Sequence, residues 1–354
     1  MVPTDPQPFS SLAAVLDEWE RERHLSGSFL VTRGGETLFE HCTGFANRAT
    51  GTRVTPATRF ALASFTKMFT AVAVADLVSA GSLSFETPVT EVLPADRRPS
   101  TLLPEVTVHH LLCHTSGIAD YCEEEEDSPF YVEDYGSLWA DLPCYSIERP
   151  ADFLPLFGDL PPYRPPGEQY QYCNAGYIVL GLVIEEATGR PYIEFVQERV
   201  FDRAGMTDSG FFRFDEAVPD VALGYLARTD PSAPWRSNIY KDPVVGGADG
   251  GSHSTARDID RFLHAYADGS LLGEHQDRAL ARHADAGDGF SYGYGVIIYP
   301  DGRYGHGGGD PGVEVLASRW PDDDVSVVVL CNGEEELVVE VRDLLVEAWR
   351  AENA

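Results

Sequence analysis

Hydrophobic positions near the start of the chain predict a helix followed by a β-hairpin. In residues 9–23, apolar side chains recur at the three- to four-residue spacing of an amphipathic helix, at Leu12, Val15, Leu16 and Trp19. Residues 28–42 contain two strand-like runs on either side of Gly34-Gly35, which is typical of a hairpin turn.

The last third of the chain predicts a meander of short strands and a closing helix. The sequences Pro300-Asp-Gly302 and Pro321-Asp-Asp-Asp324 are typical turns between apolar runs. The predicted strands are 294–298, 304–306, 313–319 and 325–331. A helix is predicted from about residue 335 to residue 349.

Between these ends, apolar stretches predict helices. Residues 64–80 are apolar on nearly all sides and end at Gly81, so they predict a buried central helix. Proline, glycine and aromatic residues are frequent from about 95 to 235, and the helical stretches there are short. The other predicted helices are 108–113, 174–188, 192–204 and 255–267.

Strands at both ends and helices between them predict an α/β fold of the α+β type. The N-terminal hairpin and the C-terminal meander are expected to share one antiparallel sheet, with the first and last helices on one face. Residues 9–60 and 240–354 would form this sheet domain, and residues 61–239 an inserted, mostly helical domain. Because clefts between such units favour small-molecule sites, we expect the functional site there.

The charge of the chain excludes two classes of partner. Its 354 residues include 57 Asp and Glu against 26 Lys and Arg, a formal net charge of −31. So acidic a protein is not expected to bind nucleic acid or an anionic membrane. No apolar run approaches the roughly 18 residues of a membrane span. We therefore expect a small-molecule substrate, and the oligomeric state stays open.

The N-terminus and the cysteines favour a cytoplasmic location. Residues 1–8 show no basic segment followed by an apolar one, so we predict no signal peptide. The six cysteines form no Cys-x-x-Cys pair and have no zinc-like spacing, which favours reduced thiols over a disulfide framework.

Ser64 and Lys67 are the first candidates for chemistry. At positions i and i+3 of a helix start, their side chains lie on one face and can meet. A serine hydroxyl needs a base to become a nucleophile, and a lysine can be that base when burial makes its neutral form accessible. The alternative is a helix-capping serine beside an incidental lysine. The catalytic interpretation gains weight because Lys67 and Lys241 are the only lysines, and Lys67 lies in an apolar stretch.

Tyr172 and Asn174 lie at the start of the predicted helix 174–188. A lysine ammonium near Tyr172 would favour its phenolate, which can act as a general base. Asn174 is predicted to be the N-cap of the helix, a role that is compatible with a catalytic one.

The sequence Gly305-His306-Gly307-Gly308-Gly309 lies on or after a predicted strand. Adjacent glycines in a strand indicate close approach of a ligand or another segment, and a β-bulge is the alternative. A strand edge without side chains suits an extended ester or amide, with backbone N–H groups directed at an oxyanion.

In this order, the Ser-x-x-Lys, Tyr-x-Asn and His-x-Gly motifs resemble those of the penicillin-recognising serine hydrolases. The closer resemblance is to the branch similar to class C β-lactamases, which also contains D,D-peptidases, D-aminopeptidases and esterases. Four further segments are similar to that branch: Leu111–Gly117, Pro166–Tyr170, Gly250–Asp258 and Tyr292–Gly295.

The resemblance implies a role for each motif. Ser64 would attack a carbonyl and form an acyl-enzyme, Lys67 would hold or shuttle its proton, and Tyr172 would be the general base and then protonate the leaving group. Asn174 would hydrogen-bond the substrate amide and Lys67. No metal or organic cofactor is implied.

The same resemblance assigns the glycine-rich strand to substrate binding. His306 would line the site where many relatives carry the lysine of Lys-Thr-Gly, followed by Gly307 and Gly308. The backbone N–H groups of Ser64 and Gly309 would form the oxyanion hole. Several aromatic residues of the inserted domain are candidates for the wall of the acyl pocket, and Tyr121, which follows the Leu111–Gly117 segment, is the first of them.

The replacement of that lysine by His306 decides the expected substrate. A histidine is neutral for much of the time at pH 7, so a permanent cation for a substrate carboxylate is lost. We therefore expect an esterase first, a D-aminopeptidase or D,D-peptidase second and a β-lactamase third. A non-catalytic ligand-binding relative is the remaining alternative.

Other polar residues are predicted to be structural. The acidic run 123–127 is expected to be a solvated loop. His109, His110 and His114 are expected to pack and cap, although His110 and His114 have the spacing of metal ligands. Cys173 is expected to be a buried thiol that points away from the site.

Overall fold

The computed structural model describes residues 8–125, 128, 130–132, 135–230, 232–333 and 337–352. The strands are β1 (Gly27–Arg33), β2 (Glu36–Thr43), β3 (Phe45–Asn47), β4 (Thr52–Arg53), β5 (Phe60–Ala61), β6 (His253–Ser254), β7 (Ala284–Gly287), β8 (Phe290–Tyr292), β9 (Ile297–Ile298), β10 (Tyr304–Asp310), β11 (Val313–Trp320) and β12 (Val325–Cys331).

The helices are α1 (Pro8–Arg23), α2 (Thr66–Ser79), α3 (Val89–Val92), α4 (Val108–Leu112), α5 (Leu154–Phe157), α6 (Asn174–Thr188), α7 (Tyr192–Val196), α8 (Asp202–Ala204), α9 (Ala256–Ala267), α10 (Gln276–Ala279) and α11 (Val338–Glu352). A 3₁₀ turn at Ala63–Phe65 leads into α2, and a π-helical turn at Gln197–Phe201 joins α7 to α8. Further 3₁₀ turns are Ala95–Arg97, Tyr135–Trp139, Cys144–Ser146, Pro150–Phe153 and Gly273–His275.

One antiparallel sheet joins the two ends of the chain. Within the described residues its strand order is β2-β1-β12-β11-β10-β9-β8-β7. The N-terminal hairpin enters this sheet through β1, which pairs with β12 from Gly27 opposite Cys331 to Arg33 opposite Val325. The predicted α/β fold with a shared antiparallel sheet is confirmed.

Alternate residues of the central strands face two hydrophobic cores, because side chains alternate across a sheet. Phe29 and Val31 of β1 pack in a core with α1 and α11, the first and last helices. Leu30 belongs to the larger core, which contains α2, α6 and α9. Helix α2 is buried on nearly all sides, as its composition predicts.

The strand predicted at 294–298 is wrong in its first half. The chain leaves the sheet after Tyr292 and re-enters it at Ile297. Between them, Gly295 has a φ of 68°, and a Cβ there would lie 2.6 Å from the carbonyl oxygen of Lys67. The glycine thus lets this segment pack closely on α2. The apolar pattern of residues 294–298 reflects this burial rather than strand pairing.

Most other predicted elements agree with the structure to within three residues. Strand β10 extends four residues further than predicted, to Asp310, while β7 was missed because it has no apolar run. Residues 335 and 336 of the predicted closing helix lie outside the described residues. The division into domains at residues 61 and 239 stays a prediction.

In the described part of the chain, no helix has the length and apolar character that crossing a membrane requires.

Candidate active site

Ser64 lies in the sharp turn that opens α2. It is part of the 3₁₀ turn Ala63–Phe65, and Ala63 has a φ of 44°, which residues with side chains rarely adopt. Such strain persists where the surrounding structure imposes it, and it is concentrated at functional sites. The turn presents Ser64, half-buried, on the wall of a cavity of about 270 Å³.

Lys67 is fully buried one helical turn after Ser64. Its Nζ lies 2.9 Å from Ser64 Oγ, 2.8 Å from Asn174 Oδ1 and 2.7 Å from the carbonyl oxygen of Asp249. The last two atoms only accept hydrogen bonds, so each takes one N–H of Lys67. The third position of the amine faces Ser64 and holds an N–H in the charged form or a lone pair in the neutral form.

Burial and the neighbouring charges shift the pKa of Lys67 in opposite directions. Burial lowers the pKa of Lys67 below the ordinary 10.5, and the neighbouring carboxylates of Asp249, Glu124, Asp120 and Asp310 act in the opposite direction. Because burial prevails, the neutral amine is more accessible than in an exposed lysine.

The ring of Tyr172 lies beside this pair. Lys67 Nζ is 4.9 Å from the ring centroid. Burial and then the charge of Glu124 raise the pKa of Tyr172 well above the ordinary 10, although Ser64 acts in the opposite direction. The prediction that Lys67 favours the phenolate is therefore wrong: the groups meet, but the tyrosine is held as a neutral phenol.

Asn174 begins α6, but its side chain is not the N-cap that the sequence predicts. The carboxylate of Asp120 takes that place and accepts the backbone N–H groups of Asn174 and Ala175 at 2.7 and 2.8 Å. The Asn174 amide instead directs Oδ1 at Lys67 and donates from Nδ2 to Glu124 at 2.9 Å. The orientation of the amide is fixed because one neighbour needs an acceptor and the other a donor.

The prediction of a solvated acidic loop at 123–127 is wrong for its first residue. Glu123 is 1% exposed and accepts a hydrogen bond from Gln171. Glu124 is exposed to the cavity, which it lines, and it holds Asn174. Glu126 and Asp127 lie outside the described residues.

Strand β10 passes close to the turn that carries Ser64. A Cβ added to Gly308 would lie 2.3 Å from the carbonyl oxygen of Leu62 and 3.0 Å from the backbone N of Ser64, so the approach requires glycine. Gly309 lies on the cavity wall, whereas Gly307 and Gly308 are not among the described residues that line it. The predicted close backbone approach is therefore present at Gly308.

His306 lies behind the cavity, and the expectation that it lines the site is wrong. Its side chain is 3% exposed, and His306 is not among the described lining residues. Its Nδ1–H donates to the carbonyl oxygen of Gly307, and its Nε2 accepts from the Tyr292 hydroxyl at 2.8 Å. Burial lowers the pKa of His306 to about 3, so the ring supplies no cation to a substrate.

Carboxylates dominate the charge of the cavity wall. Four acidic residues line it: Glu124, Asp242, Asp249 and Asp310. Among the described lining residues there is no lysine or arginine. Tyr121 lines the cavity as expected, and its hydroxyl donates to Asp249. Burial and then the charge of Asp249 raise the pKa of Asp310 to about 7.

A family model described as Beta-lactamase matches residues 13–348, nearly the whole chain. The chain belongs to the Beta-lactamase family.

Members of this family with different activities are similar to the chain. Esterase EstB of Burkholderia gladioli is 33% identical over 323 residues, which are 82% of this chain and 80% of that protein. A D-aminopeptidase of Brucella anthropi is 26% identical over 326 residues, 87% of this chain and 56% of that protein. The crystal structure of a penicillin binding protein from Bacillus halodurans has a TM-score of 0.86 and 40% identity, covering 94% of this chain and 99% of that one. The family is thus one of serine hydrolases that contains esterases, penicillin-binding proteins and D-aminopeptidases.

Membership of the Beta-lactamase family accounts for the three motifs, but sequence reasoning missed the acids around them. Asp120 and Glu124 reach Asn174 from 54 and 50 residues earlier in the chain, and no local pattern marks that contact. Asp249 directly precedes Gly250-Gly251, in a segment that is similar to the family, and this position was the one available signal.

Residues predicted to be structural have structural contacts. His110 and Thr107 form a capping box at the start of α4, and His109 Nδ1 lies 2.8 Å from the Tyr294 hydroxyl. Cys173 is buried, with its Sγ 3.8 Å from the carbonyl oxygen of Ile118, and no disulfide bond joins any of the six cysteines. In the described ranges, no group of three or more His, Cys, Asp or Glu has an arrangement that could hold a metal ion.

Proposed function

We propose that the chain hydrolyses small esters through an acyl-enzyme on Ser64. The observation that carries the proposal is the position of Lys67, whose Nζ lies 2.9 Å from Ser64 Oγ while its two other contacts are acceptors. A neutral Lys67 in this position can accept a hydrogen bond only from Ser64. A serine paired in this way with a buried amine is an activated nucleophile.

In acylation, Ser64 Oγ bonds to the ester carbonyl carbon while its proton moves to Nζ of neutral Lys67. The carbonyl oxygen becomes an oxyanion, for which the backbone N–H groups of Ser64 and Gly309 are the proposed donors. The intermediate expels the alkoxide, which takes the phenolic proton of Tyr172. The proton on Lys67 then returns to Tyr172, and Ser64 carries the acyl group.

In deacylation, water attacks the acyl carbonyl carbon and gives a proton to Lys67. The bond from that carbon to Ser64 Oγ breaks, and Ser64 recovers the proton from Lys67. The products are the carboxylic acid and the free serine.

The charge of the cavity supports a substrate without a carboxylate. Four carboxylates line the wall, no described lining residue is a lysine or arginine, and burial keeps His306 neutral. These carboxylates would repel a substrate anion at short range. This disfavours β-lactams and peptides that end in a carboxylate, in agreement with the expectation from sequence.

A second candidate is the hydrolysis of an amino-acid amide or peptide with a free amino group. The same acidic wall favours it, because an ammonium group next to Glu124 or Asp310 would be attracted. The D-aminopeptidase relative is consistent with this candidate.

The proposal is tested with p-nitrophenyl butyrate, a chromogenic cephalosporin and D-alanine p-nitroanilide. We expect turnover of the ester, about a thousandfold or more lower in Ser64→Ala, and little turnover of the cephalosporin. Ser82→Ala, an exposed serine after α2, is the matched control and should keep the activity. Faster turnover of the anilide than of the ester would select the second candidate, and ester turnover that persists in Ser64→Ala would contradict both.

A further inference from the structure

The segment His114–Gly117 supports the segment that carries Tyr172. The backbone N–H groups of Tyr163 and Gly167 donate to the carbonyl oxygens of Gly117 and Thr115 at 2.8 and 2.7 Å. Gly117 has a φ of 68°, and a Cβ there would lie 2.2 Å from the carbonyl oxygen of Arg164. This part of the chain is therefore a fixed support for the approach to Tyr172.

His114 holds the backbone on both sides of Tyr172. Its carbonyl oxygen accepts the N–H of Gln171 at 2.9 Å, and its Nδ1 accepts the N–H of Cys173 at 3.0 Å. The backbone N–H groups of the two residues that flank Tyr172 are thus bound by one residue. Since successive side chains of an extended segment point to opposite sides, holding both neighbours fixes the direction of the phenol.

The imidazole of His114 also packs against the phenol ring. The two ring centroids are 4.3 Å apart with an angle of 35° between the planes, while Tyr177 and Tyr292 lie 5.1 and 4.6 Å from His114. The side chain is 1% exposed. This contact limits rotation of the Tyr172 ring, in addition to the hydrogen bonds that hold the backbone on both sides of it.

The hydrogen bonds specify the state of His114. Because Nδ1 accepts from a backbone N–H, the ring proton is on Nε2, which has no hydrogen-bond partner among the described residues. Burial and then the charge of Lys67 lower the pKa of His114 well below the ordinary 6.5. The ring is neutral and contributes geometry rather than charge.

The backbone of His114 is strained, with a φ of 57°. Histidine, asparagine and glycine tolerate this left-handed region better than other residues. Two replacements are therefore free of added backbone strain: glycine, which deletes the ring, and asparagine, which keeps an acceptor near the place of Nδ1.

We infer that His114 is a positioning residue for Tyr172, holding the phenol where it protonates the leaving group during acylation. This inference rests on the proposed function. It makes protonation of the leaving group depend on the three contacts of His114 with residues 171–173. Loss of His114 should then lower kcat/KM most for substrates whose leaving group needs that proton.

The test compares ethyl butyrate with p-nitrophenyl butyrate. Ethoxide is strongly basic and needs protonation, whereas p-nitrophenolate leaves without it. We expect the kcat/KM of ethyl butyrate, divided by that of p-nitrophenyl butyrate, to fall about tenfold or more in His114→Gly. Part of this loss should be recovered in His114→Asn. His109→Asn, which alters a half-buried histidine of α4, is the matched control and should change the ratio less than about twofold.

A double-mutant cycle with Tyr172→Phe shows whether His114 acts through the phenol. The phenylalanine keeps the ring and removes the proton, so His114→Asn should change the ratio less than about twofold in that background. If His114→Gly does not fold by circular dichroism, the cycle with His114→Asn still decides. An unchanged ratio in the folded His114 variants, or an equal fall with and without the hydroxyl of Tyr172, would overturn the inference.

Failure of the proposed function has a separate signature. A fluorophosphonate forms a P–O bond with Ser64 Oγ and releases fluoride, which intact mass reports without any ester. A wild-type protein that neither forms this adduct nor hydrolyses either ester would refute the proposed function and, with it, the role of His114. An active wild-type protein whose ratio does not depend on His114 would refute the positioning role alone.

Discussion

The carboxylate of Asp120 caps the helix that Asn174 begins. It accepts the N–H of Asn174 at 2.7 Å, and a second oxygen accepts from Ala175 at 2.8 Å. A carboxylate at a helix N-terminus also interacts favourably with the helix dipole. The cap therefore comes from a distant loop, and this frees the Asn174 amide to bridge Lys67 and Glu124.

Asp120→Ala should destabilise the protein and disorder the site. The variant would leave buried N–H groups of Asn174, Ala175 and Tyr121 without their acceptor, and each such loss costs about 1–3 kcal/mol. Asp120→Asn, which keeps an acceptor oxygen, should lose less. Thermal unfolding of the three proteins measures this, and an alanine variant as stable as the wild type would contradict the capping role.

Lys67→Arg should lower kcat about a hundredfold or more, because an arginine stays protonated and cannot take the proton of Ser64. The chain offers a matched control, since Lys241 is its other lysine. Lys241→Arg should keep kcat within about threefold. Equal activity of both variants would show that the base lies elsewhere.

The pH dependence of the wild type follows from the same lysine. Activity needs neutral Lys67, so kcat/KM should rise with pH as that group loses its proton. The midpoint should lie below the ordinary 10.5, because burial lowers the pKa of Lys67. A pH profile of ester hydrolysis at constant ionic strength measures the midpoint, and activity that falls over the range in which Lys67 becomes neutral would contradict the assignment.

Gly308→Ala should separate Ser64 from strand β10. The new methyl group would lie 2.3 Å from the carbonyl oxygen of Leu62, so the turn must move, and a displacement of about 1 Å can cost a hundredfold in rate. Gly307→Ala is the matched control, because its methyl group would have an ordinary contact of 3.5 Å with the carbonyl oxygen of Val315. Similar kcat values for the two variants would show that the close approach has no catalytic importance.

Asp310→Asn should stabilise the protein at alkaline pH. The pKa of Asp310 is raised from 3.8 to about 7, so the folded state binds more protons than the unfolded state between these values. Stability attributable to Asp310 therefore falls as pH rises through this range, and the neutral asparagine removes that fall. We expect the melting temperature of Asp310→Asn to exceed that of the wild type by roughly 2 °C at pH 8, with little difference at pH 4. Asp322→Asn, an exposed acid in the turn before β12, is the control, and an equal effect of both variants would assign the change to net charge alone.

The sequence predicts the parts of the site that depend on local spacing. Ser64 and Lys67 meet because they are three residues apart on a helix start, and the apolar environment of Lys67 indicates its burial. The shared sheet follows from strand patterns at both ends of the chain. Each of these features depends on residues close together in the sequence, or on the periodicity of apolar residues alone.

What the sequence does not predict depends on contacts between distant segments. The acidic run at Glu123 has the composition of a solvated loop, yet its first side chain is buried against Gln171, 48 residues later. The resemblance to Lys-Thr-Gly predicts that His306 lines the site, but its ring lies behind the cavity wall, where it is hydrogen-bonded to Tyr292. Hydrophobic periodicity carries no information about which polar side chains find partners in the core.

The most direct test of the account is the intact mass of the protein after rapid quenching of its reaction with p-nitrophenyl butyrate. We predict a mass increase of one butyryl group, located on Ser64 by peptide mapping and absent in Ser64→Ala. Full ester turnover with an acyl group on another residue, or with the same adduct in Ser64→Ala, would contradict the acyl-enzyme on Ser64.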